Sequence, residues 1–455
     1  MASRSWSTCL ALACFAYTCD GSATDLLTVV EQSIDHDADL AAARAGARAA
    51  QQAKPAARAA LLPQLMGGWG RAYNSTSVQD MPRNTYWQNG WTVSLTQPVF
   101  DWSRWTAYRQ ADFVEARGAV EFAQAQQRLI LQAVRTYFDV LAAQDELTRA
   151  RDYTAALDSH LDQLRHRQAS GEATVIDLRE AEAAREQAQL QQQDAGNDLR
   201  LRQLTLEQMT GQPVSGLSRV ADSARLPRLE PDDPQAWATQ AEAHDYLVQL
   251  RQVDWRIAKL EIEKRRAERF PVVSLTASHT PAGAASGYAS PTTTTTAMLS
   301  ISIPIFTGGA TQARVDESLA LEEKAQGELL SSIRAAGATA RESGTRLRAG
   351  IARIDALRRL VQTSGAALDA TKLGYRVGSR ESADVLRASE IYYTSRRDLI
   401  RARYEVLLAL LQLKAAVAEL DVDAVAQVNQ LLEPAGPMTP ADAVSRPKLL
   451  PSSVQ

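Results

Sequence analysis

Cysteine is scarce in this chain of 455 residues, and its placement is informative. The three cysteines all lie near the start, at Cys9, Cys14 and Cys19. That region has the pattern of an export signal, with a basic Arg4, an apolar stretch over residues 9–17 and small residues at positions 21–23. We therefore predict a signal peptide over residues 1–23, with a buried N-terminal helix as the alternative. The chain after it would have no disulfide framework and no thiolate chemistry.

Long apolar runs and a surplus of basic residues are missing as well. Charged residues interrupt every later apolar stretch before about 18 residues, which is too short for a membrane-spanning helix. Lys and Arg number 50 against 53 Asp and Glu, a formal net charge of −3. No nucleic-acid partner is expected, because neutralising phosphates needs a clear basic excess. We expect an exported protein that is either soluble beyond the inner membrane or inserted in the outer membrane as strands.

Motifs for catalysis, metals and cofactors are also missing. The five histidines are scattered and form no His-x-x-x-His pair: His36, His160, His166, His244 and His279. The sequence contains no Gly-x-Ser-x-Gly, no phosphate-binding loop and no dinucleotide fingerprint. We therefore predict no enzyme activity, no metal site and no cofactor. Any ATPase that drives the protein's function would be a separate component.

Internal repetition at long period is what the sequence does contain. Paired landmarks stand 206 to 208 positions apart, namely His36 and His244, Pro98 and Pro304, Gly171 and Gly378, and Asp177 and Asp384. Chance alignment of Ala-rich segments would not keep so constant an offset, so we infer a tandem duplication. The predicted organisation is a first repeat at 24–211, a Pro-punctuated linker at 212–233, a second repeat at 234–421 and a partly disordered tail at 422–455.

Each repeat is predicted to run helix, strand, loop, strand, very long helix, glycine turn, helix. The first repeat has strands at about 64–74 and 86–99, a long helix at 103–169 and a return helix at 175–210. The second has strands at about 272–280 and 297–305, a long helix at 310–376 and a return helix at 382–420. Each long helix would extend about 100 Å at roughly 1.5 Å per residue. A globular domain has no use for that length, whereas an extended periplasmic structure does.

The predicted strands alternate between apolar and small polar side chains. A half-buried strand of a soluble sandwich would alternate in the same way. Here, however, the polar faces carry almost no charge, which suits the wet inside of a membrane barrel. Five of the seven tryptophans after residue 23 also cluster in or beside the first strand pair, as in an interfacial aromatic belt: Trp69, Trp87, Trp91, Trp102 and Trp105.

Four strands are too few to close a barrel, and open sheet edges are not tolerated in lipid. The chain must therefore oligomerise if its strands span a membrane. Three copies would supply twelve strands, a plausible small barrel.

The segment at residues 374–386, GYRVGSRESADVL, closely resembles the helical-hairpin tip of TolC-type outer-membrane channels. The resemblance covers nearly all of the chain after residue 23 in its order of parts. It implies a mainly α homotrimer in the bacterial outer membrane, with a 12-stranded β-barrel in lipid and a long coiled-coil tunnel in the periplasm. The function expected from this resemblance is export of a polypeptide. In that process the channel would work with a periplasmic adaptor (membrane fusion protein) and an inner-membrane ABC transporter.

Within that family, the chain looks most like the component that exports adenylate cyclase toxin. One alternative is the same kind of channel serving drug efflux, because fold and tip look alike in both. An alternative of another class is a soluble periplasmic coiled-coil adaptor. Adaptors usually carry an inner-membrane anchor and a lipoyl-like β-domain, and the sequence contains neither.

The resemblance also implies roles for residues at the tips. Asp177, Tyr375 and Arg380 match the residues that close the family's periplasmic gate. An Arg fork to a carboxylate is a strong and directional contact, although an exposed pair often contributes little. Asp384 matches the first of two acidic positions that ring the entrance, and Arg387 departs from the second. An adaptor is expected to dock at the tip turns, which contain Gly171, Gly378, Ser379 and Arg380.

Overall fold

The computed structural model describes residues 24–77, 79, 82–213, 216–220, 231–282 and 292–433. The predicted signal peptide and the Pro-rich end of the predicted tail lie outside these residues. Helices of the described chain are α1 (Leu26–His36), α2 (Ala38–Gln51), α3 (Ala53–Ala59), α4 (Trp102–Ala169), α5 (Val175–Thr210), α6 (Pro234–His244), α7 (Tyr246–Ala267), α8 (Ala310–Arg376), α9 (Ser382–Ala416) and α10 (Val422–Asn429). The strands are β1 (Gln64–Thr76), β2 (Asn84–Phe100), β3 (Arg219–Val220), β4 (Val272–Ala282), β5 (Thr292–Ser302) and β6 (Leu432–Glu433).

The first lead segment is three helices, α1, α2 and α3, rather than the single helix predicted for each repeat. Asp37 has an extended backbone and separates α1 from α2, and its carboxylate accepts a hydrogen bond from the Leu40 N–H at 2.6 Å. Helix α2 ends at Gln51, four residues before Pro55. A proline has no N–H to donate to the carbonyl of the residue four positions earlier, and the proline ring clashes with that carbonyl. This explains the break between α2 and α3.

The long helices α4 and α8 have 68 and 67 residues and dominate the molecule. The Asp101 carboxylate caps the start of α4 by accepting from the Arg104 N–H at 3.0 Å. Gly309 precedes α8 with a left-handed φ of 84°. Each long helix packs against its return helix, α5 or α9, to form an antiparallel hairpin. None of the described helices is both long enough and apolar enough to cross a membrane.

The four long strands form one antiparallel sheet in the order β1-β2-β4-β5. The two strand pairs of the duplicated halves therefore meet at β2 and β4, and β1 and β5 lie at the sheet edges. Strand β5 ends at Ser302, although the prediction extended it to 305. Pro304 has no N–H to donate to a neighbouring strand, so the pairing stops before it.

The largest apolar core lies where α1, α4, α5, α9 and α10 meet. Its buried side chains include Leu26, Val30, Val134, Tyr137, Leu141, Leu206, Leu407, Leu411 and Val425. The predicted linker contains β3, and β3 pairs with β6. The Tyr137 hydroxyl donates to the Ser218 carbonyl at 2.8 Å and so ties this small sheet to α4.

Residues 422–433, the first part of the predicted tail, form α10 and β6. Val425 and Val428 are buried against the core, which is why this segment folds back. The Asn429 side chain also bonds to the start of α1, accepting from the Leu26 N–H at 3.1 Å and donating to Asp25 Oδ2 at 2.8 Å. Helix α9 is likewise shorter than predicted and ends at Ala416, where Ala418 turns the chain with a φ of 58°.

Candidate functional site: the hairpin tips

The two helical hairpins turn with the same local structure. Gly171 follows α4 with a φ of 80°, and Gly378 follows α8 with a φ of 79°. These left-handed conformations favour glycine, because it has no Cβ. At each tip an N–H reaches back five residues, from Glu172 to the Arg167 carbonyl at 2.8 Å and from Ser379 to the Gly374 carbonyl at 2.9 Å. The duplication has thus preserved a helix-terminating motif at both tips.

Asp177 and Asp384 lie in the first turns of the return helices. The Thr174 N–H and hydroxyl donate to Asp177 Oδ2 at 3.1 and 2.6 Å, and the Asp177 N–H donates back to the Thr174 hydroxyl at 3.1 Å. This reciprocal cap satisfies N–H groups that would otherwise have no helical partner. The Glu381 N–H donates to Asp384 Oδ2 at 3.5 Å in the equivalent place. Both carboxylates therefore help to start a helix, in addition to the gate and entrance roles that the family resemblance implies.

Tyr375 is buried, with 7% of its surface exposed. Its ring lies 5.3 Å from the His160 ring, and the Arg167 guanidinium lies over it at 4.7 Å. Arg167 also donates to the Tyr375 carbonyl oxygen at 3.1 Å. Because His160 and Arg167 belong to α4, Tyr375 joins the second hairpin to the first.

His160 makes the second connection between the hairpins. Its Nε2 lies 2.9 Å from the Ser382 hydroxyl at the start of α9, and both residues are buried. Burial lowers the pKa of His160, and the nearby Lys372 ammonium lowers that pKa further. No sequence motif predicts this pair. The available signal was the position of His160 beside Leu157, Leu161 and Leu164, which form the buried face of α4 near the tip.

The predicted gate residues do not form one cluster within a subunit. Arg380 is exposed, and its Nη1 lies 3.7 Å from Asp384 Oδ2 on the same helix start. Between the described residues of one chain, neither an ion pair nor a hydrogen bond joins Arg380 to Asp177. Arg387 is exposed one turn beyond Asp384 on α9. The exposed tip turn is completed by Ser379, whose hydroxyl donates to the Gly374 carbonyl at 3.1 Å.

The described residues contain no group of three or more His, Cys, Asp or Glu side chains placed to hold a metal ion.

Comparison with known proteins assigns the chain to a family. The family profile described as "Outer membrane efflux protein" matches residues 29–212 and, separately, residues 237–419. The chain belongs to the outer membrane efflux protein family. The two matched segments correspond to the duplicated halves. Members of the outer membrane efflux protein family are channels and not enzymes, so this chain is an outer-membrane channel with a periplasmic helical tunnel.

Named relatives are similar to this chain over most of their lengths. "Outer membrane protein TolC" of Vibrio cholerae is 26% identical over 413 residues, covering 90% of this chain and 93% of the relative. "Proteases secretion protein PrtF" of Dickeya chrysanthemi is 28% identical over 411 residues, covering 88% and 89%. "Protein CyaE" of Bordetella pertussis is 25% identical over 403 residues, covering 87% and 84%. The crystal structure of VceC from Vibrio cholerae has the same fold, with a TM-score of 0.75 at 17% identity over 86% of this chain and 96% of that one.

The family assignment confirms the predicted TolC-type fold and the outer-membrane location. It also confirms a transport function in efflux or secretion at this coarse level. The predicted resemblance to the adenylate cyclase toxin component stays a prediction, because relatives of several kinds have comparable identities of 25 to 28%.

Proposed function

We propose that this chain is the exit duct of a protein-secretion system, and that three copies close one channel. The observation that carries the proposal is the four-stranded sheet with one apolar face, whose two edges have no partner strand among the described residues, attached to hairpins of about 100 Å. Unpaired N–H and C=O groups at a sheet edge are costly in lipid. Sister subunits would satisfy them by edge-to-edge pairing.

The two faces of the sheet differ in a way that fits a membrane barrel. The register puts one set of side chains on the same face, mostly apolar: Leu65, Trp69, Tyr73, Trp87, Trp91, Val93, Leu95, Val273, Leu275, Leu299 and Ile301. The opposite face is mostly small and polar: Ser94, Thr92, Thr96, Ser274, Thr276, Ser278, Thr294, Thr296 and Ser300. Apolar side chains outside and polar ones inside are what a barrel in lipid requires.

Strand directions also allow closure. Because all neighbours in the sheet are antiparallel, β1 and β5 of one subunit run in opposite directions. The β5 edge of one subunit can therefore pair antiparallel with the β1 edge of the next. Three subunits would give twelve strands, and the helical hairpins would extend together into the periplasm as a tunnel.

The proposed substrate is a polypeptide, delivered by an inner-membrane ABC transporter through a periplasmic adaptor. Support comes from PrtF, whose name assigns it to secretion of proteases. Drug efflux remains the second candidate, because the family description itself names efflux. Neighbouring genes would discriminate: a large repeat toxin beside an ABC exporter favours secretion, and a proton-driven pump favours efflux. The exposed tip turns, with Gly171, Gly378, Ser379 and Arg380, are the proposed docking surface for the adaptor.

Cysteine crosslinking tests the trimer directly, because residues 24–455 contain no native cysteine. Leu65→Cys on β1 would be combined in turn with a cysteine at Thr293, Thr295, Ala297 or Leu299 on β5. The register in which β1 of one subunit would pair with β5 of the next is not known in advance, so the four β5 positions cover several possible registers. Oxidation in isolated outer membranes is expected to give covalent dimers and trimers for at least one pair.

The matched control pairs two central strands. Leu95 and Ala277 are direct neighbours on β2 and β4 of one subunit, so Leu95→Cys with Ala277→Cys should crosslink within the chain and leave it monomeric on a gel. If the control crosslinks and no β1–β5 pair does, the sheet is not closed by sister subunits and the proposed channel is wrong.

The proposed gate would involve Asp177 of one subunit and Arg380 of another, because the intrasubunit partner of Arg380 is Asp384. Tyr375→Phe combined with Arg380→Ser is expected to raise the single-channel conductance in planar bilayers. Arg401→Ser removes an exposed charge farther along α9, away from the tips, and serves as the control. An assembled trimer whose conductance is unchanged by the double variant would rule out this gate.

A further inference from the structure

The sheet contains one formally charged side chain, and its position is unusual. Among the residues of β1, β2, β4 and β5, only Arg71 is Lys, Arg, Asp or Glu. Arg71 lies two positions from Trp69 and two from Tyr73, so it shares the apolar face with them. In the proposed barrel this is the face toward lipid. An Arg there is clearly destabilising at the bilayer midplane and nearly neutral close to the membrane surface.

The strand register sets the height of Arg71 in the sheet. The pair Val273–Ile301 lies at the base of the sheet, next to the helices. Six positions along β4 lead from Val273 to His279, which pairs with Val93, and four along β2 lead from Val93 to Asn89, which pairs with Arg71. Ten strand positions therefore separate the base from Arg71. At about 3.4 Å per residue and a tilt of about 40°, this distance is roughly 26 Å along the membrane normal. The apolar band of such barrels is about 25 Å tall. With the helices on the periplasmic side, Arg71 lies at the outer boundary of the band.

Aromatic side chains surround Arg71 at that boundary. The pair Trp69–Trp91 lies one row below it, and the pair Tyr73–Trp87 lies one row above it. The Arg71 guanidinium lies over the Trp87 ring at 4.5 Å. This cation–π contact restrains the guanidinium, whose planar fork of N–H groups can bind a bidentate acceptor.

A second guanidinium lies on the same rim. Arg83 donates from Nε to the Ser75 hydroxyl at 3.0 Å, and Ser75 is on the apolar face, two rows toward the loop from Arg71. The four strands contain no carboxylate that would neutralise either cation. Two fixed cations beside an aromatic girdle match an anion held at the membrane surface.

We propose that Arg71 and Arg83 bind the phosphate of a phosphorylated lipid headgroup in the outer leaflet. The guanidinium forks would bind the phosphate oxygens, and the aromatic rings would pack on the upper acyl chains. This inference rests on the proposed trimeric barrel, which places the apolar face in lipid.

Native mass spectrometry of the detergent-purified trimer tests the proposal. The trimer would be incubated with a bisphosphorylated glycolipid, or with the same lipid after removal of its phosphates. The wild-type trimer is expected to retain the phosphorylated lipid at least about tenfold more than the dephosphorylated one, since hydrogen bonds between charged groups are the strong ones. Arg71→Gln with Arg83→Gln should reduce this preference to near unity, and Arg71→Lys should leave an intermediate preference.

Arg387→Gln, which removes an exposed cation at the tip, is the matched control and should retain the full preference. Equal retention of the two lipids by wild-type protein overturns the proposal, and this arm remains valid if a variant fails to assemble. A preference that survives the loss of both arginines also overturns the proposal. The β1–β5 crosslink is measured in parallel on the double-cysteine variant, purified in the same detergent. A crosslinked trimer without lipid preference rejects only this inference. Absence of the crosslink rejects the trimeric barrel on which the inference depends.

Discussion

The buried contact between His160 and Ser382 gives the sharpest quantitative prediction. It joins α4 to the start of α9, and the two residues are 222 positions apart in the chain. Ser382→Ala removes the hydroxyl and leaves the imidazole Nε2 buried without that partner. The two tips would then be held by fewer contacts, mainly those of Tyr375 with Arg167 and with the His160 ring.

The expected effect follows from the burial of both groups. Leaving a buried polar atom unsatisfied costs about 1–3 kcal/mol. At about 1.4 kcal/mol per factor of ten, separation of the tips should become roughly 5- to 150-fold more frequent. Alanine is also a better helix former than serine, which would offset a few tenths of a kcal/mol. The measured change is therefore a lower bound on the strength of the contact.

Amide hydrogen exchange in the assembled protein measures this opening. Protection of the amides in residues 373–389 should fall by that factor in Ser382→Ala, while the middle of α9 stays unchanged. Ser379→Ala is the control, because the Ser379 hydroxyl bonds to the Gly374 carbonyl on the exposed surface. Protection in Ser382→Ala that remains within twofold of the control would refute the idea that this contact holds the tips together.

Two further predictions concern pH and backbone strain. Burial lowers the pKa of His160 in the folded protein below its usual value of 6.5. As the pH falls, His160 therefore binds its proton at a higher pH in the unfolded chain than in the folded one. Tip stability should therefore be full above pH 6.5 and fall as the pH drops below it, and His160→Gln should abolish that slope in exchange experiments. Gly211→Ala should lower the melting temperature, because Gly211 has a φ of 71° and an added Cβ would lie 2.7 Å from the His36 ring. Gly46→Ala, with open space around its Cβ, should not lower it.

Long regular elements were predictable because their signals are local. Both long helices lie within one residue of the predicted bounds, since Asp101 and Gly309 mark their starts and Gly171 and Gly378 follow their ends. The strands were recognisable from alternation and clustered tryptophans. Strand β5 was placed too far along the chain, because alternation continues past Ser302 and only Pro304 stops the pairing.

The rest depended on tertiary contacts that the sequence does not encode locally. Helix α10 has only eight residues and lies just before the Pro-rich stretch that begins at Pro434, so only its packing against α1 makes it a folded element. At the tips, the family resemblance identified residues such as Tyr375 but not their partners. Whether Tyr375 meets His160 or Asp177 depends on how one hairpin is rotated against the other, and periodicity leaves that angle undetermined.

The way the two ends of the described chain meet has a practical consequence for labelling. Thr24 pairs with the segment at Leu217, and Glu433 pairs with the adjacent Arg219. Tyr137, about halfway along α4, holds this region through its bonds to Ser218 and Thr24. A fluorophore or affinity tag appended after Glu433 would therefore start beside the midpoint of the rods, far from either opening, so that transport can be followed in a tagged protein without a plug at the entrance or the exit.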